Sequence, residues 1–360
     1  MAWLWRTSLG ALAVLVLLEL VLRLLPVSTA TQTGYYLDPA ILTYPAGHRF
    51  TSSAGWDLQH AQRMQANNAG FLAHRDFTPN PKAVALIGDS HIEAAALDAA
   101  QRPDAMLEAA LGGARPVYGL GSPGTSLLDY AERARFAAAQ WQVQDFVLLI
   151  GPGDIRQSLC GSGQIAAPCL DKTTGVARSE LQPAPGTLKR ILRHSALAQY
   201  LFSQLKISLN AAPGALRDLP RQVIPGQLRA EAPLKAASTP GRQADDALEA
   251  GSDAVARLFF ERIKPHVKGR LLLVLDRPFL PSLGRADFEG DTDRFIAIAR
   301  AQGAAVLDMA PTYADHARHS PLLLAVSPQD QHHNALGVKL LARAMADALQ
   351  APAQASVAQP

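Results

Sequence analysis

The sequence predicts an α/β protein in which helices cover both faces of a parallel, doubly wound sheet. From residue 83 onwards, apolar runs of strand length alternate with segments of helical periodicity. The runs are rich in Val, Leu and Ile, which is typical of strands that are buried on both faces. Together these observations indicate a three-layer α/β/α architecture.

The elements follow from this pattern in chain order. The predicted strands comprise residues 83–87, 116–118, 145–150, 270–275 and 305–307. Helical periodicity predicts helices through Met106 and Leu111, over residues 127–139, 253–264 and 293–302, and from Leu340 to Leu349. These elements place the α/β domain within residues 81–350.

Two segments of the chain lie outside this domain. Residues 31–80 form a lead-in that is rich in loops, because Pro39, Pro45 and Pro79 break regular structure. At the other end, residues 351–360 are predicted to form a disordered tail.

Residues 155–248 form an insertion that is longer than a simple crossover requires. It is rich in Pro, Gly and Ala, and it carries more Lys and Arg than Asp and Glu. One amphipathic helix is predicted over residues 187–208, either as a cap over the crevice or as a docking surface. Residues 211–248 are predicted to be poorly ordered. The basic residues are also consistent with a solvated face.

Residues 1–30 carry a membrane signal, because Leu9 to Leu25 is almost entirely apolar. Two interpretations are open: an uncleaved transmembrane helix, or a signal peptide cut after Ser28-Thr29-Ala30. The first is favoured because Glu19 and Arg23 pair at helical spacing and would be unusual in a cleaved segment. Positive charge ahead of the segment then predicts a single-pass inner-membrane protein whose body is periplasmic.

Composition narrows the class of partner. The chain has 360 residues, of which 48% are hydrophobic and 18% charged, with a formal net charge of +3. No basic cluster is interleaved with aromatic residues, which argues against a nucleic-acid partner.

Cys160 and Cys169 are the only cysteines, and outside the cytoplasm they predict a disulfide. A zinc site would need two further ligands, so neither a metal nor another cofactor is expected.

The tripeptide Gly88-Asp89-Ser90 follows the first predicted strand. Because open α/β sheets bind ligands at their carboxyl edge, Ser90 stands where a nucleophile would reach the crevice. The glycine allows a tight turn, and free N–H groups at the start of a helix favour developing negative charge. The alternative for this serine is a plain helix N-cap.

A second polar segment, Asp330-Gln331-His332-His333-Asn334, precedes the last predicted helix. In a doubly wound fold this loop also reaches the carboxyl edge of the sheet. The acid, base and nucleophile of a catalytic triad are then available together. The alternative is a polar surface loop with Asn334 as the helix N-cap.

Apart from the insertion, the chain from about residue 65 to its end resembles the SGNH (GDSL-type) hydrolase family. Gly88-Asp89-Ser90 is similar to the first block of that family, whose serine is both the nucleophile and an oxyanion-hole amide. Gly124 matches the oxyanion glycine of the second block. Asp330–Gly337 resembles the fifth block, and Asn67–Phe71 resembles the segment before the first block in membrane-anchored, extracytoplasmic members.

The fifth block admits two registers. With His332 as the base and Asp330 as its acid, the His-x-Asn-x-x-Gly spacing of the family is matched. The family's acid usually lies three residues before its histidine, a position that Gln329 holds for His332. Taking His333 as the base restores that spacing to Asp330. We predict His332 and keep His333 as the alternative.

The third block departs from the family. Its Gly-x-Asn-Asp follows the third strand, and the Asn donates into the oxyanion hole. Here Gly153 stands at the Asn position, so the resemblance assigns Gly124, Gly153 and Asp154 to the oxyanion and substrate-binding group without that side-chain donor. Losing one such donor costs roughly a hundred- to a thousandfold in turnover. The sequence leaves three alternatives: a weakened enzyme, an enzyme whose missing donor is replaced by another residue such as Arg156, and an inactive scaffold.

The resemblance implies a serine esterase that acts on O-acyl groups, chiefly acetyl, of an extracytoplasmic polysaccharide. Ser90 would attack the ester carbonyl, His332 would take its proton and Asp330 would orient the imidazole. The amides of Ser90 and Gly124 would hold the oxyanion. The alternatives are a polysaccharide O-acetyltransferase, and a catalytically impaired subunit that binds or assembles polysaccharide.

Overall fold

The computed structural model describes residues 2–29, 32–162, 166–205, 207, 242–277, 286–327 and 330–351. The chain divides into two units. The small unit comprises residues 1–32, 49–65 and 183–239, and the large unit comprises residues 33–48, 66–182 and 240–360. The predicted lead-in, residues 31–80, is therefore shared between both units.

Helices and strands are numbered here in chain order over the described residues. The helices are α1 (Ala2–Leu24), α2 (Ser90–Glu93), α3 (Pro103–Ala110), α4 (Leu127–Trp141), α5 (Asp154–Gln157), α6 (Thr187–Leu192), α7 (Ala196–Gln199), α8 (Arg242–Ile263), α9 (Ala286–Ala301), α10 (Ala310–His319) and α11 (Ala335–Gln350). The strands are β1 (Gly34–Asp38), β2 (Ile41–Thr43), β3 (Arg49–Ala54), β4 (Gln59–Gln65), β5 (Val84–Gly88), β6 (Val117–Gly121), β7 (Asp145–Ile150), β8 (Ala166–Leu170), β9 (Ala177–Glu180), β10 (Leu271–Leu275), β11 (Ala305–Asp308), β12 (Ala325–Ser327) and β13 (Asp330–His333).

A five-stranded parallel sheet forms the centre of the large unit, in the order β11-β10-β7-β5-β6. The prediction of a parallel, doubly wound sheet is confirmed, and each predicted strand forms with small shifts at its ends. The order of the strands reverses between β5 and β7. Such a reversal opens a crevice at the carboxyl ends of the two strands, where ligands bind in folds of this class.

Side chains of the sheet alternate between two cores. On β5, Ala85 and Ile87 pack on one face with residues of α4, α8 and α9. Val84 and Leu86 pack on the other face with residues of α3, α10 and α11. Every residue of β5 is buried, as expected for the middle layer of an α/β/α stack.

The small unit contains α1 and an antiparallel hairpin of β3 and β4. The span Trp5–Leu24 of α1 contains an 18-residue window with a mean hydropathy of 2.0, so this helix is long and apolar enough to cross a membrane. A signal sequence shares these properties.

The amphipathic helix predicted over residues 187–208 is broken in the structure. It forms as α6, then α7, and then a π-helical turn over Tyr200–Gln204. The break occurs because Ser195 has an extended backbone and caps α7, its side-chain oxygen accepting the N–H of Ala198. Helical periodicity alone does not reveal such a restart.

The structure differs from the predicted secondary structure in further places, where the sequence is polar or the elements are short. Helix α8 begins at Arg242, so residues 242–248 are helical rather than poorly ordered, while residues 211–241 and 352–360 lie outside the described residues. The lead-in holds two short antiparallel pairs, β1–β2 and β3–β4, that lack a clear apolar alternation. Helix α3 forms the first crossover where the predicted helix through Met106 and Leu111 lies, and the single turn of α2 precedes it.

Candidate active site

Ser90 is the first residue of α2, directly beyond the end of β5. The helix N-cap is Asp89 rather than Ser90, and its side chain accepts the N–H of His91 at 2.8 Å. The turn ends at Ala94, whose φ of +46° is left-handed. A helix of four residues has only a small dipole, so it gives an oxyanion less support than the sequence suggested.

Close packing of α2 against the sheet depends on glycine. A Cβ on Gly88 would lie 2.5 Å from the Ile92 side chain, and one on Gly121 would lie 2.2 Å from the backbone nitrogen of Glu93. The second contact is with backbone, which cannot move aside, so only glycine fits at position 121. These approaches fix the turn that presents Ser90.

Arg133 on α4 ties the carboxyl ends of β5 and β6 together. Its buried guanidinium donates to the carbonyl oxygens of Gly88 at 2.6 Å and Leu120 at 2.8 Å, and it bonds the hydroxyl of Thr125. It therefore positions both the turn that carries Ser90 and the loop that follows β6. Sequence analysis missed this residue, although an arginine on the buried face of a helix is a recognisable signal.

Strand β13 separates the two histidines of the fifth block. Side chains of a strand alternate, so Asp330 and His332 point to one side and His333 to the other. The Nε2 atom of His332 lies 2.8 Å from Ser90 Oγ, and its Nδ1 lies 2.6 Å from Asp330 Oδ1. A carboxylate only accepts, so Nδ1 carries the proton and Nε2 is free to accept the hydrogen of the Ser90 hydroxyl.

The electrostatics of the hydrogen-bonded residues Ser90, His332 and Asp330 suit proton transfer. The pKa of His332 is raised above its ordinary value chiefly because Asp330 accepts its N–H, while burial acts in the opposite direction. The same hydrogen bond lowers the pKa of Asp330. The side chains of His332 and Asp330 are 39% and 43% exposed, so a substrate can reach them from solvent.

His333 points away from Ser90 into the large unit. Its Nε2 lies 2.8 Å and 3.0 Å from the two carboxylate oxygens of Asp276, which also accepts the Tyr313 hydroxyl at 2.8 Å. The register with His333 as the base therefore does not fit this structure, because strand alternation turns that imidazole away from the serine.

Asp276 and His333 form a buried carboxylate–imidazole pair. Burial alone would raise the pKa of Asp276 and lower that of His333. The mutual attraction outweighs burial, so the pKa of Asp276 falls to about 2 and the pKa of His333 rises above its ordinary value. The sequence analysis did not identify Asp276 as a site residue. It directly follows the predicted strand 270–275 at the carboxyl edge of the sheet, where site residues of this fold class lie.

His91 completes this cluster. Its ring centroid lies 4.8 Å from that of His332 and 5.4 Å from that of His333, and its Nδ1 lies 3.5 Å from Asp276. By residue type, His91, Asp276 and His333 could hold a metal ion, since their ligand atoms lie within 4.8 Å of one another. The carboxylate of Asp276, however, already accepts hydrogen bonds from His333 and from the Tyr313 hydroxyl.

Cys160, Cys169 and Glu180 form a second group whose residue types could hold a metal ion. The sulfur atoms of the two cysteines are bonded to each other, with a Cα–Cα distance of 5.0 Å. The disulfide uses both thiolates that a metal would need.

The predicted oxyanion residues follow neighbouring strands. Gly124 lies in the loop after β6 with a φ of +71°, and Gly153 precedes α5 after β7 with a φ of −87°. Since β5 stands between β6 and β7, these glycines and Ser90 follow adjacent carboxyl ends of the sheet. The alternative donor, Arg156, is ion-paired with Asp291.

Asp154 holds the third-block loop from inside. The side chain is buried, and its carboxylate accepts the N–H of Gly151 at 2.8 Å and the Tyr130 hydroxyl at 3.0 Å. Burial, and after it the charge of Asp89, raises the pKa of Asp154 well above its ordinary value. The contacts of this carboxylate are thus with the loop and the core, and a contact with substrate stays a prediction.

Glu93 is a further buried acid close to the serine turn that sequence analysis did not single out. It accepts the Tyr44 hydroxyl at 2.7 Å. Burial raises its pKa to about 7, against the lowering effect of that hydrogen bond. Its charge therefore changes over the pH range in which a histidine base also titrates.

Comparison with known proteins finds solved structures that are similar to this chain at low identity. No protein-family profile matches this chain, and no curated protein matches it. A mutant of Axe2, an acetyl-xylooligosaccharide esterase from Geobacillus Stearmophilus, is similar at 14% identity with a TM-score of 0.39, over 76% of this chain and 97% of that one. Est24, a carbohydrate acetylesterase from Sinorhizobium meliloti, is similar at 10% identity with a TM-score of 0.37, over 74% and 98%. A member of the lipolytic protein G-D-S-L family from Veillonella parvula is similar at 12% identity with a TM-score of 0.37, over 74% and 96%.

Proposed function

We propose that this protein is a serine esterase-type acyl hydrolase of the SGNH class, with Ser90 as nucleophile, His332 as base and Asp330 as the acid that orients it. The observation that carries the proposal is the continuous chain of hydrogen bonds from Ser90 Oγ through the imidazole to Asp330, at 2.8 Å and 2.6 Å.

The reaction follows from that geometry. Ser90 Oγ attacks the ester carbonyl as His332 Nε2 takes the hydroxyl proton, and the imidazolium then protonates the leaving alcohol. Water attacks the acyl-enzyme by the same route, its proton passing through His332, and the carboxylic acid leaves. The backbone amides of Ser90 and Gly124 are the proposed oxyanion donors.

The proposed substrate is an O-acyl, chiefly O-acetyl, ester of an extracytoplasmic polysaccharide. Two features support this class: the resemblance of Asn67–Phe71 to anchored, extracytoplasmic family members, and the apolar helix α1. The carboxylate of Glu19 on α1 accepts hydrogen bonds from residues 195–197 of the small unit. Contacts of this kind suit a helix that stays in the mature protein, so α1 is proposed as a membrane anchor with the large unit outside.

Ester cleavage by the purified full-length protein in detergent tests the proposal. We expect hydrolysis of a chromogenic acetyl ester and labelling by a fluorophosphonate at Ser90, both abolished in Ser90→Ala. Ser162→Ala, at an exposed surface serine, is the matched control and should behave as wild type. Hydrolysis that persists in Ser90→Ala would contradict the proposal.

Gly153 favours a second candidate, a catalytically impaired subunit that binds polysaccharide. It offers no side-chain donor, and Arg156 is held by Asp291. The backbone φ of −87° accommodates Asn, and a Cβ there would meet the flexible end of Gln157 at 2.7 Å. If only the donor is missing, Gly153→Asn should raise turnover by roughly a hundredfold, and Gly153→Ala should not. If wild type and Gly153→Asn both bound acylated polysaccharide without hydrolysing it, that result would favour the second candidate.

A further inference from the structure

Helix α1 is bonded to the segment that begins helix α7 in the small unit. The Glu19 carboxylate accepts the Ser195 hydroxyl at 2.8 Å and the backbone N–H groups of Ala196 and Leu197, each at 2.9 Å. Arg23 donates to the same carboxylate at 2.8 Å, so Glu19 receives four hydrogen bonds. A carboxylate in an apolar helix needs partners of this kind, because an unpaired charge is costly at membrane depth.

The position of Glu19 fixes the level of α7. It lies five residues before Leu24, the end of α1. Five residues of helix span about 7.5 Å. If α1 crosses the membrane, the start of α7 therefore lies at the boundary between the outer headgroups and the acyl chains. Helical structure suits that level, because its backbone groups are satisfied internally.

Helix α6 cannot lie far from this boundary. Its last residue, Leu192, is three residues before Ser195, and three residues of chain span at most about 10 Å. Residues 187–191 of the helix are exposed, with Leu188 and Ile191 one turn apart on one face and each 64% exposed. Lys189 and Arg190 lie between them on the other faces and are exposed too.

We propose that α6 is an interfacial helix that lies on the outer leaflet of the bilayer. Leu188 and Ile191 enter the acyl boundary, while Lys189 and Arg190 contact the lipid phosphates. Apolar side chains on one face and basic residues beside them are the pattern that binds an anionic membrane surface. This inference rests on the proposed anchoring of α1, and it does not depend on the proposed esterase activity.

Site-directed spin labelling of the full-length protein tests this placement. Cys160 and Cys169 are bonded to each other, so one introduced cysteine is the only free thiol. Leu188→Cys and Ile191→Cys report on the apolar face of α6, and Lys189→Cys on the same helix is the matched control. Leu17→Cys, at a 60% exposed position of α1, tests the anchor itself. Each variant is reconstituted into vesicles of phosphatidylethanolamine and phosphatidylglycerol.

Collision of the labels with oxygen, which partitions into lipid, is compared with collision with a water-soluble nickel chelate. We expect labels at positions 17, 188 and 191 to favour oxygen, and the label at 189 to favour nickel. Labels at 188 and 191 that favour nickel, while 17 favours oxygen, would overturn the inference and leave the anchor standing. Labels at 188 and 191 shielded from both reagents would also overturn it, since protein and not lipid would cover α6. A label at 17 that favours nickel would remove the anchor and the inference together.

Carrying the same labels on a Ser90→Ala background separates this result from the esterase proposal. The collision pattern should be unchanged there, because Ser90 belongs to the large unit and α6 to the small one. A pattern that changed with Ser90→Ala would contradict the independence of the two proposals.

Discussion

Two carboxylate–histidine pairs lie side by side in the large unit and differ in their access to solvent. Asp330–His332 is partly exposed and reaches Ser90, whereas Asp276–His333 is buried and reaches Tyr313. The two histidines are adjacent in the sequence, and strand alternation sends them to opposite sides. Pairing with a carboxylate therefore does not by itself define a catalytic histidine. The group that the other imidazole nitrogen contacts, and the access of substrate to it, define one.

The buried pair holds the exposed pair in place. Asp276 follows β10 and His333 ends β13, so their ion pair fastens the strand that carries His332 to the central sheet. Next along the chain, Asn334 caps α11 by accepting two backbone N–H groups at 3.0 Å. A Cβ on Gly337 would lie 2.8 Å from His333, so the glycine of this segment makes room for the buried imidazole.

Removing the exposed histidine should have the largest effect on activity. His332→Ala should lower kcat on an acetyl ester by roughly a thousandfold or more, because Ser90 loses its base. The free energy of unfolding should change by less than about 1 kcal/mol, as for other partly exposed positions. His319→Ala, at an exposed histidine of α10, is the matched control and should retain full activity. If His332→Ala kept a tenth of wild-type kcat, the proposed base would be wrong.

Removing the buried histidine should act on stability instead. His333→Ala leaves the Asp276 carboxylate buried without its charged partner, which should cost about 3–5 kcal/mol in urea unfolding. Turnover per folded molecule should fall far less than in His332→Ala. His333→Gln keeps a donor towards Asp276 and should recover part of the stability. The opposite pattern, full stability with activity lost as in His332→Ala, would restore the register in which His333 is the base.

The fold was predictable because its signals are local and repeated. Central strands β5, β7, β10 and β11 are short runs rich in Val, Leu and Ile, and each forms the strand that the pattern predicts. The elements that escaped are those whose stability comes from tertiary contacts. The start of helix α7 at Ser195, for example, is bonded to a carboxylate from residue 19 as well as capped by Ser195, and no window of sequence contains both residues.

Residues of the candidate site could be predicted where they lie in a short sequence motif. They could not be predicted where their role depends on contacts between distant segments. The motifs give Ser90, Asp330 and His332, which the structure brings together. Arg133 and Asp276 escaped because their partners are backbone carbonyls and side chains far away in the sequence. The choice between His332 and His333 needed the alternation of β13, a strand that the polar sequence does not predict.

The pH dependence of the rate sharpens the role of Asp330. Only neutral His332 accepts the serine proton, and its pKa is raised above 6.5 chiefly by Asp330. kcat/KM should therefore fall as the pH decreases, with its midpoint above 6.5. Asp330→Asn should move this midpoint to lower pH and lower the maximum rate as well.

Glu93 is the control for that profile, because its own pKa is about 7. In Glu93→Gln the acidic limb should persist and move slightly to lower pH, since the Glu93 charge also raises the pKa of His332. A limb that disappeared in Glu93→Gln, or a wild-type midpoint below 6.5, would assign the titration to another group.

The smallest expected effect is the pH dependence of stability, and it separates the two pairs once more. In the folded protein the pKa of His333 is raised, so its stabilising contribution is complete below about pH 6.5 and is lost as the pH rises through that raised value. The Asp276 contribution is present above the pKa of an unfolded Asp, about 3.9, and is lost as the pH falls towards about 2. The difference in free energy of unfolding between wild type and His333→Gln should therefore be largest between about pH 4 and 6.5 and shrink above it, by on the order of 1 kcal/mol. For His332→Gln the same difference should be smaller and flatter, because solvent screens a partly exposed pair. Urea titrations across this range measure both differences, and a difference for His333→Gln that grew with pH would mean that His333 is neutral in the fold and the buried pair is not ionic.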